Sequence, residues 1–284
     1  MYKRFSLLNV LFSVMNSSEY SSLDNILAQY FIKNFERLNQ LNIHEVAEEC
    51  YCTRQSVRRF CNKIGFPNFS ELKNYSIRYG YIRWEHLNRL RTPDFSKTLQ
   101  QKIDAAIQNI NLCIERGELI TLAATINQAD TVVFLIDDSL ASLVSNFQRS
   151  MRYAGKLVKI VSNTFGGDNL LENLFETNKK NTNATLNSLG EEDLLITISM
   201  TGNFARVTED IVVQLEVQKV LLTVNHEENF SFYNTVFFLS EEDQGHEGIN
   251  AYTNYGLNYF LDNLFNTYFN NYGDKRLLDE MERN

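Results

Sequence analysis

The sequence predicts an α/β protein in which a small all-α domain precedes a doubly wound domain built on a five-stranded parallel sheet. Two observations lead to this prediction. The N-terminal part contains two short helical patterns joined by a turn, and the C-terminal part alternates short apolar runs with helical patterns. A chain of 284 residues, 44% of them hydrophobic, also exceeds what one small core usually organises.

Charge divides the chain at the same place. Residues 1–92 carry 13 Lys and Arg against 8 Asp and Glu, a net charge of +5, whereas residues 93–284 carry a net charge of −13. A basic module on an acidic chain indicates that this module has a polyanionic partner. Pro93 lies where the sign changes. The predicted segments are an N-terminal domain at 1–80, a linker at 81–95 and a C-terminal domain at 96–284.

Capping residues and apolar spacing define the two short helices of the basic module. Asn42, with Glu45 three residues later, is a capping box before an apolar stripe that ends at Cys50. Thr53 caps a second helix in the same way, and Gly65 ends it. An upstream amphipathic segment with apolar residues at helical spacing is expected to close a three-helix core. Its apolar residues are Leu23, Ile26, Leu27, Tyr30 and Phe31.

The second helix presents cationic and amide side chains on its outward face. A recognition helix needs this chemistry to contact base edges and phosphates of double-stranded DNA, and the pair of helices with its three-residue turn is typical of a helix-turn-helix. The alternative, a solvated surface helix, leaves the positive charge in an acidic chain unexplained. Arg78 and Arg83 extend the positive surface. The predicted DNA-binding residues are Thr53, Arg54, Gln55, Ser56, Arg58, Arg59, Lys63 and Lys73.

The segment VAEECYCTRQSVRRFCNKIGFPNFSELK resembles the helix-turn-helix of the RpiR-type transcriptional regulators. This resemblance implies a DNA-binding regulator that is not an enzyme. Three positions depart from the family pattern: Tyr51 replaces a small turn residue, Cys52 an aliphatic residue and Asn68 a glycine. The residues in register are Ala47, Cys50, Thr53, Ser56, Val57, Arg59, Phe60, Cys61, Lys63, Gly65, Phe66, Phe69, Glu71 and Lys73.

Five short apolar runs predict the strands of the C-terminal domain. Each run is continuous and rich in β-branched residues, as expected of strands that are buried on both faces of a parallel sheet. The segments between them, for instance 139–154 and 204–217, are long enough for crossover helices. The predicted strands are 131–137, 156–163, 193–200, 219–225 and 235–240.

A polar turn follows the third predicted strand, and ligands of doubly wound sheets bind at the carboxyl ends of strands. The segment ITISMTGNFARVTEDI resembles the phosphate loop of the sugar isomerase (SIS) domain, which RpiR-type regulators join to their helix-turn-helix. The resemblance implies control of carbohydrate-metabolism genes by a sugar or sugar-phosphate effector. Ser139 matches the serine of the family's first loop. The predicted ligand-binding residues are Ser139, Ser199, Thr201, Gly202 and Asn203.

Departures from the SIS pattern in both loops matter for the ligand. Phe204 replaces a phosphate-binding threonine, and Leu135 and Asp137 replace the two glycines of the first loop. Asp137 and Asp138 place side-chain bulk and negative charge there. We therefore expect a neutral or weakly anionic carbohydrate derivative, or no ligand. In the second case the domain serves only as a dimerisation scaffold.

A phosphosugar isomerase is the competing functional class, since the same fold carries such enzymes. His246 with Glu247, or His226, are the candidate bases. None of them is paired with an evident phosphate site in the sequence, so we expect no catalysis and no cofactor.

The remaining sequence features concern location, thiols and assembly. No run approaches the roughly 18 apolar residues of a membrane span, and we expect a cytoplasmic protein without membrane contact. Cys50, Cys52, Cys61 and Cys113 contain no C-x-x-C pair, so reduced thiols are expected instead of a zinc site. The aromatic segment 251–272 predicts a homodimer or dimer of dimers, unless its apolar face is all intrachain core.

Overall fold

The computed structural model of the protein describes residues 7–76, 93–162, 185–226, 229–241 and 250–273. The chain divides near Phe95 into two compact units, each with its own core. The predicted domain boundaries stay a prediction, because most of the predicted linker lies outside the described residues. Arg78, Arg83, His246 and Glu247 also lie outside them.

The first unit is entirely helical in the described residues. Its helices pack around one apolar core, in which Phe60 lies 5.8 Å from Phe31 between ring centroids. The helices are α1 Leu7–Ser17, α2 Leu23–Lys33, α3 Ile43–Glu49, α4 Arg54–Lys63 and α5 Phe69–Ser76, with a short 3₁₀ turn at Phe35–Arg37.

The core of this unit is larger than the predicted three-helix core. Helix α1 contributes Leu7, Val10, Leu11 and Val14 to it, and α5 contributes Leu72. Within α2, Leu27 and Phe31 are buried as predicted, whereas Ile26 is exposed. The core therefore draws on helices on both sides of the helix-turn-helix.

The N-caps of α3 and α4 are the residues that the sequence predicts, Asn42 and Thr53. The Asn42 side-chain oxygen accepts hydrogen bonds from the backbone N–H groups of His44 and Glu45, each at 2.9 Å. The Thr53 hydroxyl accepts from the Ser56 N–H at 3.1 Å. The Glu45 carboxylate, the other member of the predicted capping box, pairs with Arg37 at 2.9 Å.

The second unit is a five-stranded, all-parallel sheet in the order β2-β1-β3-β4-β5. This order reverses direction between β1 and β3, which is the switch point where doubly wound sheets bind ligands. The predicted α/β class is confirmed. The strands are β1 Val132–Ile136, β2 Val158–Ser162, β3 Leu194–Ile198, β4 Gln218–Thr223 and β5 Thr235–Phe238.

Both faces of this sheet are covered, as a doubly wound fold requires. Side chains of β1 alternate between two cores: Phe134 packs on one face, and Val133 and Leu135 pack on the other. The helices are α6 Phe95–Glu115, α7 Glu118–Gln128, α8 Ala141–Tyr153, α9 Asn203–Val207, α10 Glu209–Val212 and α11 Leu257–Tyr272, the last preceded by a π-helical turn at Tyr252–Gly256.

The crossover predicted at 204–217 is broken into α9 and α10. At the break, the Thr208 hydroxyl donates to the carbonyl of Phe204 at 2.9 Å and to that of Ala205 at 3.1 Å. Such bonds from a threonine side chain to preceding carbonyls loosen a helix at that point. The predicted crossover at 139–154 is confirmed by α8.

The aromatic C-terminal segment is mostly intrachain core. Tyr252, Phe260 and Tyr268 are buried, and the Tyr259 hydroxyl donates to the Asn111 side chain at 2.7 Å. Tyr255 remains 44% exposed. Packing within the chain therefore accounts for most of the apolar surface on which the predicted homodimer was based, and the dimer stays a prediction.

Candidate nucleic-acid interface and ligand loops

Helix α4 presents its polar face to solvent. Its inward residues Val57, Phe60 and Cys61 are buried in the core of the first unit, which fixes the rotation of the helix about its axis. Among the described residues, no carboxylate lies within ion-pair distance of the three arginines of this face. The exposed residues of the face are Arg54, Gln55, Arg58, Arg59 and Asn62.

Two predicted DNA-binding hydroxyls also hold the start of α4. The Thr53 and Ser56 hydroxyls lie 2.9 Å apart, and Thr53 accepts from the Ser56 N–H. Loss of such an N-cap costs about 1 kcal/mol of stability. Thr53 and Ser56 therefore position the helix whether or not they also contact DNA, and the second role stays a prediction.

Lys63, another predicted DNA contact, has an ionic partner within the first unit. Its ammonium group lies 2.7 Å from the Asp24 carboxylate of α2, and the two side chains are only 14% and 16% exposed. The pair joins the end of α4 to α2. Lys73, the last predicted contact, lies on α5 with its ammonium group 5.9 Å from the centroid of the Phe69 ring.

Replacing Lys63 with methionine is expected to destabilise the first unit by about 2 kcal/mol. This value lies between the small contribution of a surface pair and the 3–5 kcal/mol lost when a buried pair is broken. Denaturation of the variant measures it, with Asp24→Asn as the matched change on the other side of the pair. If Lys63 also contacts a phosphate, the lysine variant alone flattens the salt dependence of DNA binding; equal salt slopes in the two variants would contradict that contact.

The turn between α3 and α4 contains a strained backbone position. Tyr51 has a φ of 49°, in the left-handed region that favours glycine, and its side chain is 98% exposed. A small residue is usual here in the family pattern, so the tyrosine adds strain without adding core contacts. The turn itself is kept by the hydrogen bond from the Cys52 N–H to the Ala47 carbonyl at 2.8 Å.

The four cysteines are free thiols. Burial raises the pKa of Cys50 to about 11 and that of Cys61 to about 12, and it also raises the pKa of Cys52 and of Cys113. A thiolate is the form that binds metals and reacts with electrophiles, so these sites favour the inert form. Within the described ranges, no group of His, Cys, Asp and Glu side chains is arranged to hold a metal ion.

Thiol labelling should reflect this burial. At pH 8, a thiol with a pKa of about 11 is ionised to roughly one part in a thousand, so we expect Cys50 and Cys61 to react far more slowly in the native chain than in urea. Because the thiolate is the nucleophile, the native rate should rise as the pH is raised from 8 towards 11. Rapid labelling of either residue at pH 8 would contradict the burial described here. Peptide mapping of the alkylated chain identifies the reacting residues.

The first ligand loop follows β1 at the switch point of the sheet. The Asp137 carboxylate is exposed and accepts hydrogen bonds from both the backbone N–H and the hydroxyl of Ser139, at 3.0 and 2.7 Å. The Ser139 hydroxyl therefore has an intrachain acceptor. The loop presents a carboxylate where the family pattern has glycine.

The second ligand loop follows β3, beside the first. Ser199 is only 3% exposed, and its hydroxyl accepts from the Ala205 N–H at 3.1 Å. The Thr201 hydroxyl accepts from the Asn203 N–H at 3.3 Å. Gly202, with a φ of 77°, makes the turn into α9, where a side chain would strain the backbone.

The structure brings the predicted ligand residues to one edge of the sheet, but it gives each of the three hydroxyls an intrachain partner. The Ser199 and Thr201 hydroxyls accept from backbone N–H groups of the short helix α9. A further polar residue at this edge, Asn225, was not predicted; it follows β4 and its side-chain amide donates to the Thr201 carbonyl at 2.9 Å. The position of an asparagine just after a neighbouring strand was the available signal.

His226, a candidate base of the isomerase alternative, lies just beyond β4 and is exposed. Its ring stacks on Phe238 with centroids 4.2 Å apart, and its Nε2 lies 2.9 Å from the Ser240 carbonyl oxygen. Since a carbonyl oxygen can only accept, Nε2 carries the proton in this contact. These contacts hold the ring against β5.

Comparisons with known proteins were made for sequence and for structure. No family model matches the chain. An uncharacterized HTH-type transcriptional regulator from Caldanaerobacter subterraneus subsp. tengcongensis is 33% identical over 57 residues, which is 20% of this chain and 20% of that protein. The matched segment thus spans about a fifth of the curated relative.

Solved structures that are similar to this chain include the Vibrio vulnificus NanR protein complexed with ManNAc-6P. It is 16% identical, with a TM-score of 0.48 over 94% of this chain and 92% of that chain. The sugar isomerase domain of an RpiR transcription factor from Sphaerobacter thermophilus is 17% identical, with a TM-score of 0.44 over 65% of this chain and 97% of that one.

A protein from Methanococcus jannaschii, for which a 3-hexulose-6-phosphate isomerase function is inferred, is also similar, at 14% identity and a TM-score of 0.43 over 61% of this chain and 89% of that one. Regulators and isomerases thus both occur among the similar structures. Separately, no helix in the described part of the chain has the length and hydropathy that crossing a membrane requires.

Proposed function

We propose that the chain is an RpiR-type transcriptional regulator whose first unit binds double-stranded DNA through α4. The observation that carries this proposal is the exposed arginine face of a capped helix that follows a short helix and a tight turn. The core residues of α4 fix that face outward, and the first unit has the net positive charge that the rest of the chain lacks. The 57-residue match to an HTH-type regulator supports the same reading.

The experiment that tests the proposal is a titration of a labelled duplex with the full chain at several salt concentrations. Each phosphate neutralised by the protein contributes about −0.9 to the slope of log affinity against log salt. We expect a steep negative slope. An acidic polypeptide of similar length, titrated against the same duplex as the control, should bind only weakly. Absence of salt-dependent binding would contradict the proposal.

The second unit is proposed to regulate the first through a carbohydrate-derived effector at the switch point between β1 and β3. Asp137 argues against a doubly charged phosphate there, because its exposed carboxylate lies next to Ser139. We therefore propose a neutral or weakly anionic carbohydrate derivative, which contacts Ser139, Thr201 and Asn203 after their present hydrogen bonds rearrange. Control of carbohydrate-metabolism genes is part of this proposal.

A specific observation also favours a second candidate, a ligand-free scaffold. Ser139, Ser199 and Thr201 all have intrachain partners, which is the arrangement expected of loops that only cap. An isomerase is the least supported candidate, because the described candidate base, His226, is stacked against β5.

A thermal-shift panel separates the effector from the scaffold. A ligand at 100 times its dissociation constant stabilises the unit that binds it by about 2.7 kcal/mol. We expect such a shift from a neutral or weakly anionic sugar derivative and none from ManNAc-6P or other hexose phosphates. Thr201→Val should abolish the shift, and Thr121→Val, an exposed change on α7, should keep it.

Two outcomes of this panel, and one outcome of a separate turnover assay, would change the proposal. Strong stabilisation by a hexose phosphate that Thr201→Val removes would show that Asp137 does not exclude phosphate. No stabilisation by any carbohydrate would favour the scaffold, and turnover of a sugar phosphate without DNA would favour the isomerase.

A further inference from the structure

One contact joins the two helices of the helix-turn-helix at the solvent surface. The Arg54 Nη1 of α4 lies 3.4 Å from the His44 Nε2 of α3, and both side chains are exposed. His44 lies in the first turn of its helix and Arg54 is the first residue of the next. The contact therefore lies at the end of α4 that carries the predicted base contacts.

The chemistry of the two groups defines their roles in this contact. A guanidinium group has donors and no acceptor, so the imidazole nitrogen that it meets must be the acceptor. His44 is then neutral, with its proton on Nδ1. The hydrogen bond restricts the direction of the Arg54 side chain, which is otherwise a long chain with several rotatable bonds.

The structure gives the His44 side chain no other polar contact among the residues that it describes. It is not part of the core of the first unit, and its neighbour Glu45 is engaged with Arg37. The other acidic residue on the same side of α3, one turn further along, is Glu48, which is exposed. Within the described ranges, the contact with Arg54 is the one interaction of the His44 ring.

We propose that His44 is a positioning residue that directs the Arg54 guanidinium towards a base edge in the major groove. This inference rests on the proposed function. A preoriented guanidinium forms a bidentate contact with a guanine at a smaller entropic cost, and such contacts discriminate between bases. His44 therefore acts on base preference through Arg54, and it is not itself a base contact.

The test uses the full chain and the duplex that it enriches most from a randomised double-stranded DNA library. Affinity is measured for that duplex and for versions with single base-pair changes, in wild type, His44→Phe, His44→Gln, Arg54→Ala and the His44→Phe/Arg54→Ala double variant. Glu48→Ala, an exposed change on the same helix, is the matched control. His44→Ala repeats the test without a new aromatic surface.

We expect His44→Phe and His44→Ala to reduce the discrimination at one base position about tenfold, the size of a weakened bidentate contact. His44→Gln, which keeps an acceptor, should recover most of the loss. In the Arg54→Ala background, His44→Phe should have no further effect, because neighbouring residues that act as a unit are not additive. In the single His44 variants, the salt slope of DNA binding and the thermal midpoint should equal those of the wild-type chain.

Three results would overturn the inference. The first is that His44→Phe and His44→Ala discriminate between base pairs as well as the wild-type chain. The second is that His44→Phe reduces this discrimination equally in the presence and absence of Arg54. The third is a flattened salt slope with unchanged base preference, which would make His44 a phosphate contact. Failure of the wild-type chain to enrich any duplex would instead remove the proposed function, and this inference with it.

Discussion

Replacing Arg54 and Arg58 together with alanine is expected to lower affinity for the preferred duplex at least about 30-fold. Each bidentate contact between a guanidinium and a base contributes about 1–3 kcal/mol, so two lost contacts amount to at least about 2 kcal/mol. Both side chains are exposed on α4, so their removal leaves the core of the first unit intact. Fluorescence titration measures the loss, and the thermal midpoint verifies the fold.

A matched control for this double variant exists in the second unit. Arg149 and Arg152 are exposed on α8, and their replacement removes the same charge and the same side-chain types. We expect that control to keep its affinity within about threefold, since long-range charge effects on binding are screened by salt. Equal losses in the two double variants would show that overall charge, and not α4, governs binding.

Replacing Phe60 with alanine is expected to destabilise the first unit by about 3–5 kcal/mol. The ring is 1% exposed and packs on Phe31, so its removal leaves a cavity that the surrounding helices fill only in part. An entire small domain is stable by about 5–15 kcal/mol, so this loss brings the unit close to unfolding. DNA binding should be lost with it.

Hydrogen exchange locates the effect of the Phe60 variant along the chain. Amides of residues 23–64 should exchange much faster than in wild type, whereas those of β1, β3 and β4 should keep their protection. Phe60→Leu, which fills most of the cavity, should lose far less. Faster exchange throughout the sheet would contradict the independence of the two units that the predicted domain boundaries assume.

The sheet and the helix-turn-helix could be predicted because local signals agree with the tertiary structure there. A continuous run such as Val132–Ile136 is buried on both faces, so only a central parallel strand suits it. Thr53 and Gly65 begin and end α4 through backbone requirements that depend on nearby residues alone. These features need no knowledge of distant contacts.

Features that depend on distant partners were not predicted. Helix α1 was not predicted, and its residues Leu7, Leu11 and Val14 are buried in a core formed with helices distant in the sequence. The ion pair of Lys63 with Asp24 joins residues 39 positions apart, and no local pattern distinguishes it from a free lysine. The intrachain partners of Ser139 and Ser199 likewise follow from how the loops turn, which the residue types leave open.

The measurement that tests the central claim most directly is selection of duplexes from a randomised library by the full chain and by the Arg54/Arg58 alanine variant. The claim is that the exposed face of α4 reads DNA sequence. It predicts that the wild-type chain enriches a defined sequence and that the variant enriches none, while the Arg149/Arg152 variant enriches the wild-type sequence. Enrichment of the same sequence by the Arg54/Arg58 variant, or no enrichment by the wild-type chain, would contradict it.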